Sequence, residues 1–165
     1  MVMNELVKAE AIGFSNQEIK VYLERMDTNR SFKVNQLVFY PYFFFEYELE
    51  SKSFFHPIGG AVGCTVDGVN GVGAVIDISP EFKEQEITAE KLIQKELDTM
   101  EAKGIAEKFL YNSISYKMKV LSMPRMKLIK QEVFYRPYWI AEGGTYSSNQ
   151  FLLTVDAVTG KYHPL

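Results

Sequence analysis

Two stretches of this chain carry the same polar groups in the same order. Tyr42 and Glu46 stand in VFYPYFFFE (38–46), and Tyr138 and Glu142 stand in VFYRPYWIAE (133–142). Each is followed by an aspartate, Asp67 in TVDGVNG and Asp156 in TVDAVTG. A phenol beside a carboxylate can pass a proton or fix a polar ligand. If the matched pairs face each other across an approximate two-fold axis, they frame a polar pocket with aromatic walls. They read equally as tyrosines and glutamates that finish two similar sheets. Phe44 and Trp139 lie beside them and offer wide contact area at low rotamer entropy, the quality that concentrates binding energy. The candidate ligand-binding residues are therefore Tyr42, Phe44, Glu46, Tyr138, Trp139 and Glu142, and no residue is assigned to catalysis.

Other chemistries find less support. The chain holds no G-x-S-x-G, Walker loop, H-E-x-x-H or C-x-x-C. His56, His163 and Cys64 would need a carboxylate to complete a zinc set, and their spacing fits no usual pattern, so neither metal nor cofactor is expected. Glu46, Glu48 and Glu50 alternate along one strand face, where they read as an acidic cluster or as a solvated face whose charge discourages edge pairing. The glycines from Gly68 to Gly73 precede an apolar run rather than a helix, so they make no dinucleotide fingerprint.

The elements that must position these groups follow from periodicity. Asn4 to Ile12 is expected as a short helix ended by Gly13. Ser15 and Glu18 form a capping box, Phe14 and Ile19 occupy the positions of a hydrophobic staple, and Ile19, Tyr22, Leu23 and Met26 recur at helical spacing. Lys20 and Glu24 sit one turn apart on the wet side. By Phe32 the chain is expected to be strand. Phe43, Phe45, Tyr47 and Leu49 then mark the core face, with Tyr42, Phe44, Glu46, Glu48 and Glu50 on the wet face. Ser51 to Gly60 reads as loop, and Val62, Cys64 and Val66 point one way along the next strand. In each D-x-V-(N/T)-G the aspartate accepts from amides ahead of it while the glycine takes a positive φ, so Asp67 and Asp156 are turn residues first.

Val72 to Ile78 reads as a strand covered on both faces. Ser79 and Pro80 are expected to start a helix, with a second start possible at Thr88 and a stripe of Leu92, Ile93, Leu97, Met100, Ile105 and Phe109 interrupted at Gly104. From Lys108 to Gln131 six basic residues face no acidic one. With the methionines among them they suit an anionic partner surface or a solvated strand pair beside the glutamate stripe. Arg136 is an extra residue before the proline of the second aromatic strand, the mark of a bulge or an edge.

Composition limits the partners. The net charge of −3 gives no whole-molecule attraction to nucleic acid or anionic membrane. A pair of short helices at the start invites comparison with a winged-helix reader, but residues 1–35 hold five Lys and Arg against five Asp and Glu, which leaves no phosphate-seeking face. One cysteine forms no internal disulfide, and no apolar run reaches the roughly 18 residues a spanning helix needs. The expected location is cytoplasmic, and the aromatic faces leave a homodimer open.

The helix, aromatic strand and closing segment LLTVDAVTGKY over Ile87 to Leu165 resemble the PepSY module. Residues 15–78, ending in GCTVDGVNGVGAV, look like a more diverged copy. The resemblance implies a cystatin-like helix on an antiparallel sheet, in modules that bind or restrain partners without catalytic residues of their own. The expected fold is thus α+β, with two related helix-and-hairpin halves (1–79 and 80–165) sharing a core in one compact unit. The expected function is a non-catalytic binding or regulatory module for an unknown protein or small molecule. The alternatives are a small enzyme with a pocket lined by Tyr, Glu and Asp, and, further off, a DNA-binding regulator.

Overall fold

The computed structural model describes residues 3–50, 60–118, 125–144 and 150–164. Their order is β1 (Asn4–Glu10), α1 (Asn16–Met26), β2 (Ser31–Glu50), β3 (Ala61–Asp67), β4 (Gly73–Ile76), β5 (Phe82–Thr88), α2 (Thr99–Met118), β6 (Arg125–Gly144), β7 (Phe151–Asp156) and β8 (Tyr162–Pro164). Among the described residues the fold is α+β, two α-helices with an eight-strand mixed sheet. Backbone contacts divide the chain into two compact units. The first comprises Met1–Tyr40, Glu81–Ile93 and Tyr135–Leu165, the second Pro41–Pro80 and Gln94–Phe134.

In the second unit the alternation of PYFFFEYEL sets the core. β2 pairs antiparallel with β3, placing Phe45 opposite Cys64 and Phe43 opposite Val66. Phe43, Phe45 and Tyr47 are buried with Cys64 and Val66 beneath Ala102, Ala106, Leu110 and Ile114 of α2. Large aromatics on the strand and small alanines on the helix fill the layer between them, each fully buried large side chain contributing about 1.5–3 kcal/mol. α2 starts where Asp98 Oδ1 accepts the Glu101 N–H at 2.8 Å. Gly73 is needed where β4 passes this helix, because a Cβ there would stand 2.9 Å from the Phe109 ring. Tyr47, otherwise buried, finds an acceptor for its hydroxyl in Glu107 Oε1 at 3.2 Å.

In the first unit β1 lies between two neighbours. It pairs antiparallel with β5 from Asn4↔Thr88 to Glu10↔Phe82 and touches β6 in parallel at Ala9↔Tyr135. β6, β7 and β8 continue antiparallel. The core here is Ile19 and Leu23 of α1 packed with Phe32 and Val34 of β2, Ala141 of β6 and Leu153 and Val155 of β7.

Several expectations change. Asn4–Glu10 is a strand, not a helix: its main chain is taken up by the β5 ladder, and Ala9 is wholly buried there while Leu6 stays exposed. Phe82–Thr88 is that partner strand, so no helix starts at Ser79, and Thr88 introduces only a 3-10 turn at Ala89–Lys91. α2 runs unbroken through Gly104, whose missing Cβ faces open space. Its buried stripe is carried by Ala102, Ala106, Leu110 and Ile114, while Met100 is exposed. Val72–Ile78 is not covered on both faces: only Gly73–Ile76 is strand, at the end of the sheet among the described residues, and Ala74 within it and Val72 and Ile78 beside it are exposed. Lys108 lies on α2, not on a strand, whereas Arg125, Lys127 and Lys130 lie on β6. The expected loop 51–59, with His56, and Lys119 and Met123 fall outside the described residues.

Burial pushes the Cys64 thiol up to about 11. Native protein at pH 8 should therefore resist alkylation at Cys64 until it unfolds, whereas labelling at the rate of a free thiol would place the sulfur outside the core.

Candidate ligand-binding groove

The groove belongs to the first unit and begins with a helix start. Ser15 Oγ accepts the Glu18 N–H at 3.2 Å, and the Glu18 carboxylate accepts the Ser15 N–H at 3.3 Å, the reciprocal bonds that the spacing S-x-x-E predicts. Just before it, the amides of Gly13 and Phe14 both donate to the Ala157 carbonyl at 2.9 Å. A Cβ on Gly13 would stand 2.9 Å from the Val158 carbonyl oxygen, so glycine permits this close approach. The Phe14 carbonyl in turn accepts the indole N–H of Trp139 at 2.9 Å. Phe14 is thus fixed from both sides of its own backbone.

The opposite wall is the β7–β8 hairpin. Asp156 Oδ1 accepts the amides of Val158 and Thr159 at 2.8 and 3.3 Å, and Gly160, at φ 79°, donates to the Asp156 carbonyl at 2.7 Å. The positive φ is what calls for glycine at 160, since a Cβ there would meet the Phe14 ring only at an ordinary 3.5 Å. Between the walls lies a cavity of about 530 Å³ lined by Phe14, Glu18, Ile19 and Tyr22 and by the run from Thr159 to His163. Phe14, Tyr22 and Tyr162 are 37, 48 and 39% exposed, so three aromatic side chains offer area to a ligand. A mostly apolar cleft of this size with a few polar groups is what small ligands and peptide side chains occupy.

A charged network anchors the hairpin wall. Arg136 donates from Nε to Asp156 Oδ2 at 2.8 Å, and from a terminal nitrogen to both Glu10 oxygens at 3.0 and 3.2 Å. The second terminal nitrogen lies 2.7 Å from Asp156 Oδ2. Glu10 is almost wholly buried, and that desolvation raises its carboxyl above the ordinary value although Arg136 opposes the shift. The guanidinium is held charged by Asp156 and Glu10 against its own burial. These groups satisfy one another and tie the end of β1 to the turn.

The residues named from sequence are scattered. None of the six lines the groove, and Trp139 alone bonds a residue of its wall, at the Phe14 carbonyl. Tyr138 meets Tyr40 edge to face at 6.2 Å and stands opposite Asp156, and Glu142 is exposed opposite Leu152. Those three belong to the first unit, and Tyr42, Phe44 and Glu46 to the second. Tyr42 stacks on Phe134 at 5.6 Å. Phe44, expected on a wet face, is 1% exposed: its ring lies against Gly63, and the Lys130 ammonium stands 5.7 Å from its centroid. Glu46 lines a smaller cavity of about 230 Å³ with Asp77 and Ser79. His163 lies on the groove wall in the first unit, Cys64 lies in the core of the second, and among the described residues no three metal-ligating side chains converge. No helix among the described residues is long and apolar enough to cross a membrane.

Sequence reasoning passed over Phe14, Tyr22 and Tyr162 as ligand contacts. A signal was present in α1, where Val21, Tyr22 and Met26 add more apolar area than one buried face needs. No protein-family model, curated protein or solved structure matches this chain.

Removing one partner from a buried charge network strands the others, so Arg136→Met should cost about 3 kcal/mol in urea unfolding; a loss under 0.5 kcal/mol would make the network incidental. The pH dependence has a defined sign. Because the folded Glu10 carboxyl sits above its ordinary 4.5, its protonation favours folding. That contribution is present below pH 4.5 and lost as pH rises through the raised folded value. Wild type should therefore lose stability relative to Glu10→Gln across that interval, and a gain would reverse the assignment.

Proposed function

We propose that this protein is a non-catalytic binding or regulatory module, and that its ligand is held in the groove between α1 and the β7–β8 hairpin. The observation that carries the reading is the preformed cleft of about 530 Å³ walled by Phe14, Tyr22 and Tyr162. Aromatic side chains left part-exposed beside an apolar cavity keep area that a ligand can still desolvate. The cleft is also rigidly built, since the bonds at Gly13, Phe14 and Trp139 fix one wall and the Asp156 turn fixes the other. A preorganised wall reduces the entropy lost on binding.

The proposal includes a duplicated origin and a PepSY-like module. Its support is local. The Asp67 turn repeats the bonds of the Asp156 turn: Val69 and Asn70 amides donate to Asp67 Oδ1, and Gly71, at φ 76°, donates to the Asp67 carbonyl. The following amides match as well, Gly68 donating to Pro41 and Ala157 to Pro137. This reading treats the two turns as descendants of one helix-and-hairpin ancestor.

Binding of the amphiphilic dye anilinonaphthalene sulfonate through its aromatic rings should change Trp139 emission, because the indole is bonded to a residue of the groove wall. Tyr22→Ala combined with Tyr162→Ala should weaken dye binding about tenfold, in line with loss of exposed aromatic contacts, and leave the circular dichroism unchanged. Equal affinity in the folded double variant would remove the groove from consideration.

A further inference from the structure

The groove has a second property besides its apolar lining: one wall is an unfinished sheet. Among the described residues β8 pairs with β7 alone. The hairpin register fixes which main-chain groups are left over. Asp156 donates its N–H to the Lys161 carbonyl and accepts from Gly160, so its peptide groups face β8. Thr154, two residues back, faces β8 as well, opposite His163, whose carbonyl also accepts the Thr154 hydroxyl at 3.3 Å. Antiparallel ladders alternate, so the N–H and C=O of Tyr162 and the C=O of Pro164 point away from β7. The Tyr162 side chain stands opposite Val155, on the face that packs α1.

We propose that the occupant of this groove is an extended peptide segment that adds as a strand to the outer edge of β8 and inserts a large apolar side chain between Tyr22, Phe14 and Tyr162. The proposal rests on the groove being the binding site and names the class of its ligand. Strand addition takes affinity from main-chain bonds and specificity from a pocket for an alternate side chain, and both are present here within one cleft. The edge of β5, by contrast, is defended by exposed Lys83, Glu84 and Glu86. At the groove rim the Glu18 carboxylate is turned to the Ser15 amide, and Lys161 stands on the strand wall beside the open edge. The charge complement of that rim is an acidic residue next to the apolar anchor of the peptide.

The test is selection from a displayed random-peptide library on the whole chain, followed by binding of the selected synthetic peptides by Trp139 fluorescence. Selected sequences should pair a large apolar residue with an acidic neighbour. N-methylation along such a peptide should weaken binding at least tenfold at every second position only. Tyr22→Ala should weaken it similarly, Lys161→Glu should weaken it further than Lys161→Gln, and the Tyr162 amide should gain protection from hydrogen exchange. Dye bound in the groove with no peptide selected overturns strand addition and leaves the groove reading standing. Peptides whose binding ignores both N-methylation and Tyr22→Ala overturn it too. Self-association that protects the Tyr162 amide replaces the peptide with a second copy. If neither dye nor peptide binds, the groove reading falls with it.

Discussion

Asp156 is the residue on which the first unit turns, because its two carboxylate oxygens serve different structures. Oδ1 accepts the amides of Val158 and Thr159 and so shapes the hairpin, while Oδ2 takes the Arg136 guanidinium, whose other end holds Glu10. A carboxylate in this position is a turn residue and an ion-pair partner at once. The turn then presents the Ala157 carbonyl to Gly13 and Phe14, which sets where α1 begins. Burial of Glu10 costs free energy, and one terminal nitrogen of Arg136, shared by both Glu10 oxygens, offsets part of that cost while the rest of the guanidinium bonds Asp156. Extra stability is not the evident return. What the network provides is a single placement of the hairpin, and through it of the groove wall.

The second unit rests on packing instead. Phe43, Phe45 and Tyr47 occupy one strand face, and the alanines at 102 and 106 let α2 come down on them. The polar exception is the Tyr47 hydroxyl, which bonds Glu107 rather than a buried acceptor. Burial and that neighbouring carboxylate both push the phenol upward, so it stays protonated and keeps donating across the physiological range.

Local signals survived in the sequence wherever a single short-range bond decides the structure. The capping box at Ser15 and Glu18, the two glycine-closed turns and the alternation from Phe43 to Tyr47 each depend on residues a few positions apart, and each was legible. Asn4–Glu10 was not. Its composition suits a helix, and what makes it a strand is β5, some eighty residues onward. The same partner accounts for the misread start at Ser79. Phe44 shows the limit of alternation: period two assigns a face, but whether that face is wet depends on what lies against it, here Gly63 with the Lys130 ammonium above the ring. Arg136 was visible as an inserted residue, yet an insertion gives no address for its side chain, and Glu10 and Asp156 lie 126 and 20 residues away.

α1 shows why the groove is better read as a site than as an imperfection of packing. Ile19 and Leu23 alone complete its buried face, and the Lys20–Glu24 pair lies on its solvent side. Val21, Tyr22 and Met26 each remain about half exposed, at 47, 48 and 50%. A helix that only needed to cover the sheet would be as stable with polar residues there, since exposed positions contribute little to folding. Tyr22 adds nothing to the buried cluster and faces the hairpin across an open space, whereas Phe14 is fixed at its backbone and leaves part of its ring in the same opening. One aromatic group fixed at its backbone and a second on α1 border a cleft, beside main-chain groups of β8 that point away from their own hairpin and, among the described residues, join no other strand. That convergence, and not the number of aromatic residues in the chain, is the reason to place recognition at this edge.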